Sequence, residues 1–206
     1  VSRTATSVLD LDVLLQQAVE LVQERFDLYY VGLFLVSGEA DGAWAMLRAA
    51  SGEAGRQMLE QGHRLRVEGE SMIGQCITDH QSCIALDVGE EAVRFDNPLL
   101  PETHSEMALP LITREGTVGA LSIQSRERRA FGDTDLAVFE TLAGQLANAI
   151  ANARAYDEIR VLNEQLKDEN LRMSAELAVT QRLQQMLLPP EEELRQIEEL
   201  DIAGFM

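Results

Sequence analysis

Ser105-Glu106-Met107-Ala108-Leu109-Pro110-Leu111-Ile112-Thr113-Arg114-Glu115-Gly116-Thr117-Val118-Gly119-Ala120-Leu121-Ser122-Ile123-Gln124-Ser125 is the stretch on which the reading of this chain turns. Two apolar runs, 105–113 and 117–125, flank Arg114-Glu115-Gly116. So short a connection carrying a glycine predicts a tight antiparallel hairpin. Pro110 lies late in the first run. Its missing N–H expects a place near a sheet edge or bulge. Gly119 is expected to let a helix pack closely on the sheet.

Working outward towards the N-terminus, apolar residues at Val8, Leu11, Leu14, Leu15, Ala18, Leu21, Val22 and Phe26 recur at helical spacing behind Ser7, a good N-cap. Leu28–Val36 and Ala43–Ser51 are rich in aromatic and β-branched or alternating apolar residues and read as strands. A short helix is expected over 52–61, a third strand over 63–67, a helix entered from Gly69-Glu70-Ser71, and a short strand over 82–87. Residues 88–103, with Asn97-Pro98 and Leu100-Pro101, form the longest irregular stretch and are the expected lid of a pocket. Strands with two internal helices and one helix at each end predict an α+β class: an antiparallel sheet flanked by helices.

From Phe131 the pattern becomes helical, and no proline interrupts it before Pro189. Asp133 is the expected N-cap. At about 1.5 Å per residue, about 55 residues make a rod on the order of 80 Å long, too long for one domain to cover. Leu142, Leu146, Ile150, Ile159, Leu162, Leu166, Asn170, Met173 and Leu177 are the expected seam of a coiled coil, flanked by charged residues such as Glu164, Lys167 and Arg172. An asparagine on such a seam fixes register and favours two parallel strands. The chain is therefore expected to form a parallel homodimer.

Charge and composition narrow the partners. The 206 residues carry a net charge of −18, with 46% hydrophobic and 25% charged residues. An acidic surface of this size repels phosphate backbones and anionic headgroups, so neither nucleic acid nor membrane is an expected partner. Two cysteines, Cys76 and Cys83, are too few for a disulfide framework and suit a cytoplasmic location. No run approaches the roughly 20 apolar residues of a membrane span. The chain reads as a piece of a longer protein.

Four stretches, Gly69-Glu70-Ser71-Met72-Ile73-Gly74, Ser105–Leu111, Val118–Ile123, and Phe131 with Asp135, together resemble the GAF family of small-molecule sensor domains across residues 8–153. Cyclic-nucleotide members carry an asparagine-lysine, a phenylalanine and an aspartate-glutamate. Here Phe131 and Asp135 match, while Leu136 replaces the glutamate and Pro98 follows Asn97. A second, shorter resemblance covers Gln181–Pro189 and Ile202-Ala203-Gly204, which look like the start of a SpoIIE-type metal-dependent serine/threonine phosphatase. The acidic stretch Glu191–Glu199 departs from that family. The two resemblances imply a GAF sensor domain over 1–153, a signalling helix over 154–188 and the truncated start of a phosphatase domain over 189–206. They imply a regulatory input and dimerisation module, with a histidine kinase or cyclase effector, or a purely structural scaffold, as alternatives. Manganese or magnesium and a phosphoprotein substrate would belong only to the missing phosphatase part.

No nucleophile context accompanies a serine or cysteine, so no catalytic residue and no cofactor is expected in this chain. His80, Cys76, Cys83 and Asp87 do not have the spacing of a zinc site. His63 reads as a surface residue. The expected wall of a small-molecule pocket is Met72, Ile73, Asp87, Val88, Phe95, Glu106 and Met107, chosen by position around the lid.

Overall fold

The computed structural model describes residues 4–39, 42–88 and 97–187. In chain order the elements are α1 (Thr4–Phe26), β1 (Tyr30–Glu39), β2 (Gly42–Ala50), α2 (Gly52–Glu60), β3 (Arg64–Arg66), α3 (Met72–Asp79), β4 (Cys83–Ala85), β5 (Ser105–Thr113), β6 (Gly116–Ser125) and α4 (Asp133–Leu187). The hairpin is β5–β6, with Glu106 opposite Gln124, Ala108 opposite Ser122 and Leu109 opposite Leu121. Its turn is closed by the Thr113 hydroxyl, which donates to the Gly116 carbonyl at 3.1 Å and accepts from the Glu115 amide at 3.2 Å. Gly116 takes φ +125°, which a side chain rarely allows.

All neighbouring strands run antiparallel in one six-stranded sheet of order β3-β2-β1-β6-β5-β4. β4 covers only Glu106–Ala108 of β5, so Pro110 stands where β5 has no second neighbour, beside a register shift at Leu111/Ile112. That is the edge its lost N–H requires. Gly119 answers to a different constraint from the one expected. A Cβ there would stand 2.0 Å from the Phe34 carbonyl oxygen of β1, so a neighbouring strand, rather than a helix, demands the glycine.

The alternation of side chains divides the core into two layers. On one face, Val31, Leu33 and Leu35 of β1, Met107, Leu109 and Leu111 of β5, and Leu121 and Ile123 of β6 pack on Leu15, Val19 and Val22 of α1 and on Phe139, Ala143, Ala147 and Ile150 of α4. On the other, Tyr30, Phe34, Ala45, Leu47, Ala108 and Ala120 pack on Met58 of α2 and on Met72, Ile73, Cys76 and Ile77 of α3. Ser71 caps α3, its Oγ accepting from the Gly74 amide at 3.1 Å.

α1 begins at Thr4, so Ser7 lies inside the helix rather than capping it. At the start of α4 the cap comes from Asp135, whose Oδ2 accepts from the Gly132 amide at 2.9 Å. A carboxylate in the first turn reaching back to the residue before the helix is half of a capping box. Asp133 is the first helical residue instead.

Residues 1–155 and 156–206 form two compact units. Ile150, expected in the dimer seam, is fully buried in the core of the first unit, and Leu142 and Leu146 are half-buried against that core. The sheet-facing stripe runs through Phe139, Ala143, Ala147 and Ile150, because alanines let the helix axis approach the sheet more closely than leucines would. In the second unit, Ile159, Leu162, Leu166, Met173 and Leu177 are all exposed. No helix among the described residues is long and apolar enough to cross a membrane. The expected start of a phosphatase domain, 189–206, lies outside the described residues, as does Phe95.

Candidate functional site: a buried polar cluster

The hairpin register brings three polar side chains to one buried face. Glu106 sits opposite Gln124 and one step diagonal from Ser122, in strands otherwise lined with apolar residues. Glu106 is 2% exposed, and Ser122 and Gln124 are each 1% exposed. The Ser122 hydroxyl donates to Glu106 Oε1 at 2.9 Å, and Gln124 Nε2 donates to the same oxygen at 3.4 Å. Gln124 Oε1 in turn accepts from the Thr103 hydroxyl at 2.6 Å, which ties the cluster to the segment returning to β5.

β1 contributes Tyr30 from the facing position. Its phenol folds back over Gly32, where a Cβ would stand 2.3 Å from the Tyr30 oxygen, so this conformation requires the glycine. The connection from α2 to β3 contributes His63, its amide held by the Met58 carbonyl at 3.0 Å and its ring edge-on to Phe34 at 6.1 Å. The Tyr30 hydroxyl and His63 Nε2 are buried without a hydrogen-bond partner among the described residues. An orphaned buried polar group costs about 1–3 kcal/mol, so native folds rarely keep one idle.

These groups line a small cavity together with Met58, Ile73, Asn97 and Leu100. Asn97 Nδ2 donates to Met58 Sδ at 3.0 Å, and its Oδ1 accepts from the Leu99 amide at 3.0 Å. The free volume is about 10 Å3, the room of one water molecule. Two wider clefts, about 440 and 490 Å3, are open grooves on the α1 and α4 side of the sheet and hold neither orphaned atom.

Burial sets the ionisation of the cluster. It pushes the Glu106 carboxyl up to about 7, against the downward pull of Ser122 and Gln124. It raises the Tyr30 phenol, with a further push from Glu106, and lowers the His63 imidazole. Near neutral pH the site therefore offers a phenol, a neutral imidazole and a carboxyl close to its midpoint.

Of the residues expected around the pocket, Glu106 and Ile73 line this cavity. Met72 is buried in the same layer without lining it, and Val88 is half-buried against that layer. Met107 belongs to the opposite layer, since neighbours along a strand face opposite ways. Asp87 pairs with Arg128 at 3.0 Å. His63, read as a surface residue, instead contributes an orphaned ring nitrogen to the cavity. Ser122 and Gln124 were legible only through the register: polar residues at 106, 122 and 124 share a face once the turn is placed at Arg114-Glu115.

The other candidate chemistry disperses. Cys76 is buried, and burial, followed by Cys83 and Asp79, pushes its thiol up to about 12. A protonated thiol is a poor nucleophile and a poor metal ligand. His80 Nδ1 lies 2.6 Å from the Thr117 hydroxyl. Among the described residues no three His, Cys, Asp or Glu side chains gather as a metal site. Phe131 packs edge-on to Phe139 in the α1/α4 layer, and Asp135 caps α4, so neither reaches the cavity.

The fold around this sheet is shared with a known family. The model of the GAF domain matches residues 8–151. The chain belongs to the GAF domain family. The GAF domain of a phosphoenolpyruvate-protein phosphotransferase from Coxiella burnetii is 27% identical, with a TM-score of 0.62 over 71% of this chain and 85% of that one. A GAF domain region of a Geobacter sulfurreducens membrane protein is 26% identical, with a TM-score of 0.58 over 73% and 99%. A type II free methionine-R-sulfoxide reductase from Thermoplasma acidophilum shares the fold at 17% identity and a TM-score of 0.58, covering 69% of this chain and 93% of that one. Among curated proteins, the formate hydrogenlyase transcriptional activator FhlA of Escherichia coli is 38% identical over 69 residues, 34% of this chain. The match spans about a tenth of that activator's length. GAF domains are in general non-catalytic sensors, and a reductase among the structural relatives shows that the fold also carries chemistry.

Proposed function

We propose that this GAF domain is the input module of a larger regulator, in which occupancy of the buried cavity biases a parallel pair of α4 helices. The observation that carries it is the cavity itself: Tyr30 and His63, whose buried polar atoms have no partner among the described residues, line one space with the buried Glu106. A ligand can shift such a domain only by its differential affinity for two states. The exposed stripe from Ile159 to Leu177 supplies the pairing surface in this account, with Asn170 holding the register.

The effector in this reading is a SpoIIE-type protein phosphatase, supported by Gln181–Pro189 and Ile202-Ala203-Gly204 in the sequence. The relatives lend support of a general kind, since one is named a transcriptional activator and another is the GAF domain of a phosphotransferase. A cytoplasmic location is consistent with this assignment. One observation favours the scaffold alternative: the cavity as it stands admits only a water-sized group. The two readings part at ligand binding and share the dimer.

The dimer is therefore tested first. Light scattering at micromolar concentration should give a mass near two chains. A mass near one chain, 22.8 kDa, would remove the pairing on which the proposal depends.

A further inference from the structure

The acceptor set of the cavity points to a definite ligand chemistry, and we infer that it takes the ammonium ion. This rests on the sensor reading above and names its ligand class. The ammonium ion carries N–H donors and no acceptor. The cavity presents three groups with acceptor capacity to spare. Glu106 is one, since a carboxylate can accept about four hydrogen bonds and receives two here. The Tyr30 oxygen and His63 Nε2 are the others, and both are orphaned. With the imidazole proton on Nδ1, Nε2 accepts.

Charge selects in the same direction. Glu106 is the charged group lining the site, and no lysine or arginine lines it among the described residues. A carboxylate or phosphate would meet a buried carboxyl with no counter-charge among the described lining residues. A neutral alcohol of the same size could use only one donor for three acceptors. An ammonium can donate charge-assisted bonds to all three acceptors, and its size matches the room of one water.

Every element packed on Glu106 bears on its ionisation. β1 supplies Tyr30, the α2–β3 connection His63, β6 Ser122 and Gln124, and the returning segment Asn97 and Thr103, while Ile73 of α3 and Ala85 of β4 are apolar. An ammonium requires the carboxylate, whose proton is lost through about pH 7. Burial also disfavours the protonated form of the His63 imidazole, which would oppose the ligand where it forms at lower pH.

The experiment is a methyl-region NMR titration of the whole chain in phosphate buffer at constant ionic strength, following Met58 and Ile73. Ammonium should shift both signals saturably. Potassium, of equal charge and similar size but without N–H donors, and acetate should not. The apparent Kd should fall about tenfold from pH 6 to pH 8, as the binding-competent carboxylate fraction rises. Glu106→Gln should weaken ammonium at least tenfold. Tyr30→Phe, which keeps the carboxyl and the ring, should weaken it several-fold and keeps the test open if the first variant does not fold. Equal shifts from ammonium and potassium, a pH-independent Kd, or silence from ammonium would overturn the assignment. Saturable shifts from acetate would overturn it too, yet leave the sensor reading standing. The dimer mass reports on that reading separately.

Discussion

Leu162→Glu combined with Leu166→Glu should convert the proposed dimer to a monomer at micromolar concentration. Both leucines are at least half exposed in the isolated chain, and both lie on the stripe of Ile159, Met173 and Leu177. Fully burying a leucine is worth about 1.5–3 kcal/mol, and four would be lost per dimer, with like charges set against each other in their place. A loss of even 3 kcal/mol raises Kd more than about 100-fold. The first unit should remain folded, because its core draws on α4 no further than Ile150. Light scattering together with the fluorescence of Trp44 reads both consequences. Retention of a two-chain mass would shift the pairing to another surface, such as the exposed Val13, Leu14 and Leu21 of α1.

The second large effect is a pH dependence of stability. Glu106 titrates near 7 in the folded chain against 4.5 in the unfolded one, so the folded state holds its proton more tightly. For a raised pKa, the contribution is fully present below about pH 4.5 and is lost as pH rises through about 7. The shift corresponds to about 3 kcal/mol. Wild type should therefore lose about that much stability relative to Glu106→Gln as pH is raised from 4.5 to 8. Taking the difference between the two proteins cancels most other titrations. Urea unfolding followed through Trp44 measures it. A difference that stays flat across this range would place Glu106 in a wetter or cation-paired site.

The fold was legible because its signals were local. The β5–β6 hairpin was set by Gly116 between two apolar runs, and a run of helical spacing without proline marked α4 to within a residue of its start. The ends of α1 and α4 were less so, because capping is decided by which carboxylate or hydroxyl reaches an amide, and Asp133 and Asp135 are equally good candidates on paper. The two faces of α4 were misjudged for a physical reason. A stripe of leucines at 142 and 146 looks like a core or a seam, whereas the close approach to the sheet is made by Ala143 and Ala147.

The site was half legible. Glu106 was reached by its position beside the expected lid, but Met107 next to it could not share its wall, because a strand alternates. Tyr30 and His63 come from elements distant in sequence and meet Glu106 only through sheet order β1-β6-β5 and the α2–β3 connection. No pattern along the chain encodes that meeting.

The account stands most directly on α4 pairing in parallel and in register. A single cysteine at position 170, made as Asn170→Cys with Cys76→Ala and Cys83→Ser, places one thiol per chain on the proposed seam. A parallel pair sets residue 170 against residue 170, so mild oxidation should link nearly all chains as a disulfide dimer, independent of protein dilution over the range where the dimer persists. Cysteine moved to the outer face, at Glu169, should link poorly. Absence of the 170–170 bond in a protein whose mass is two chains would contradict the parallel, in-register pair.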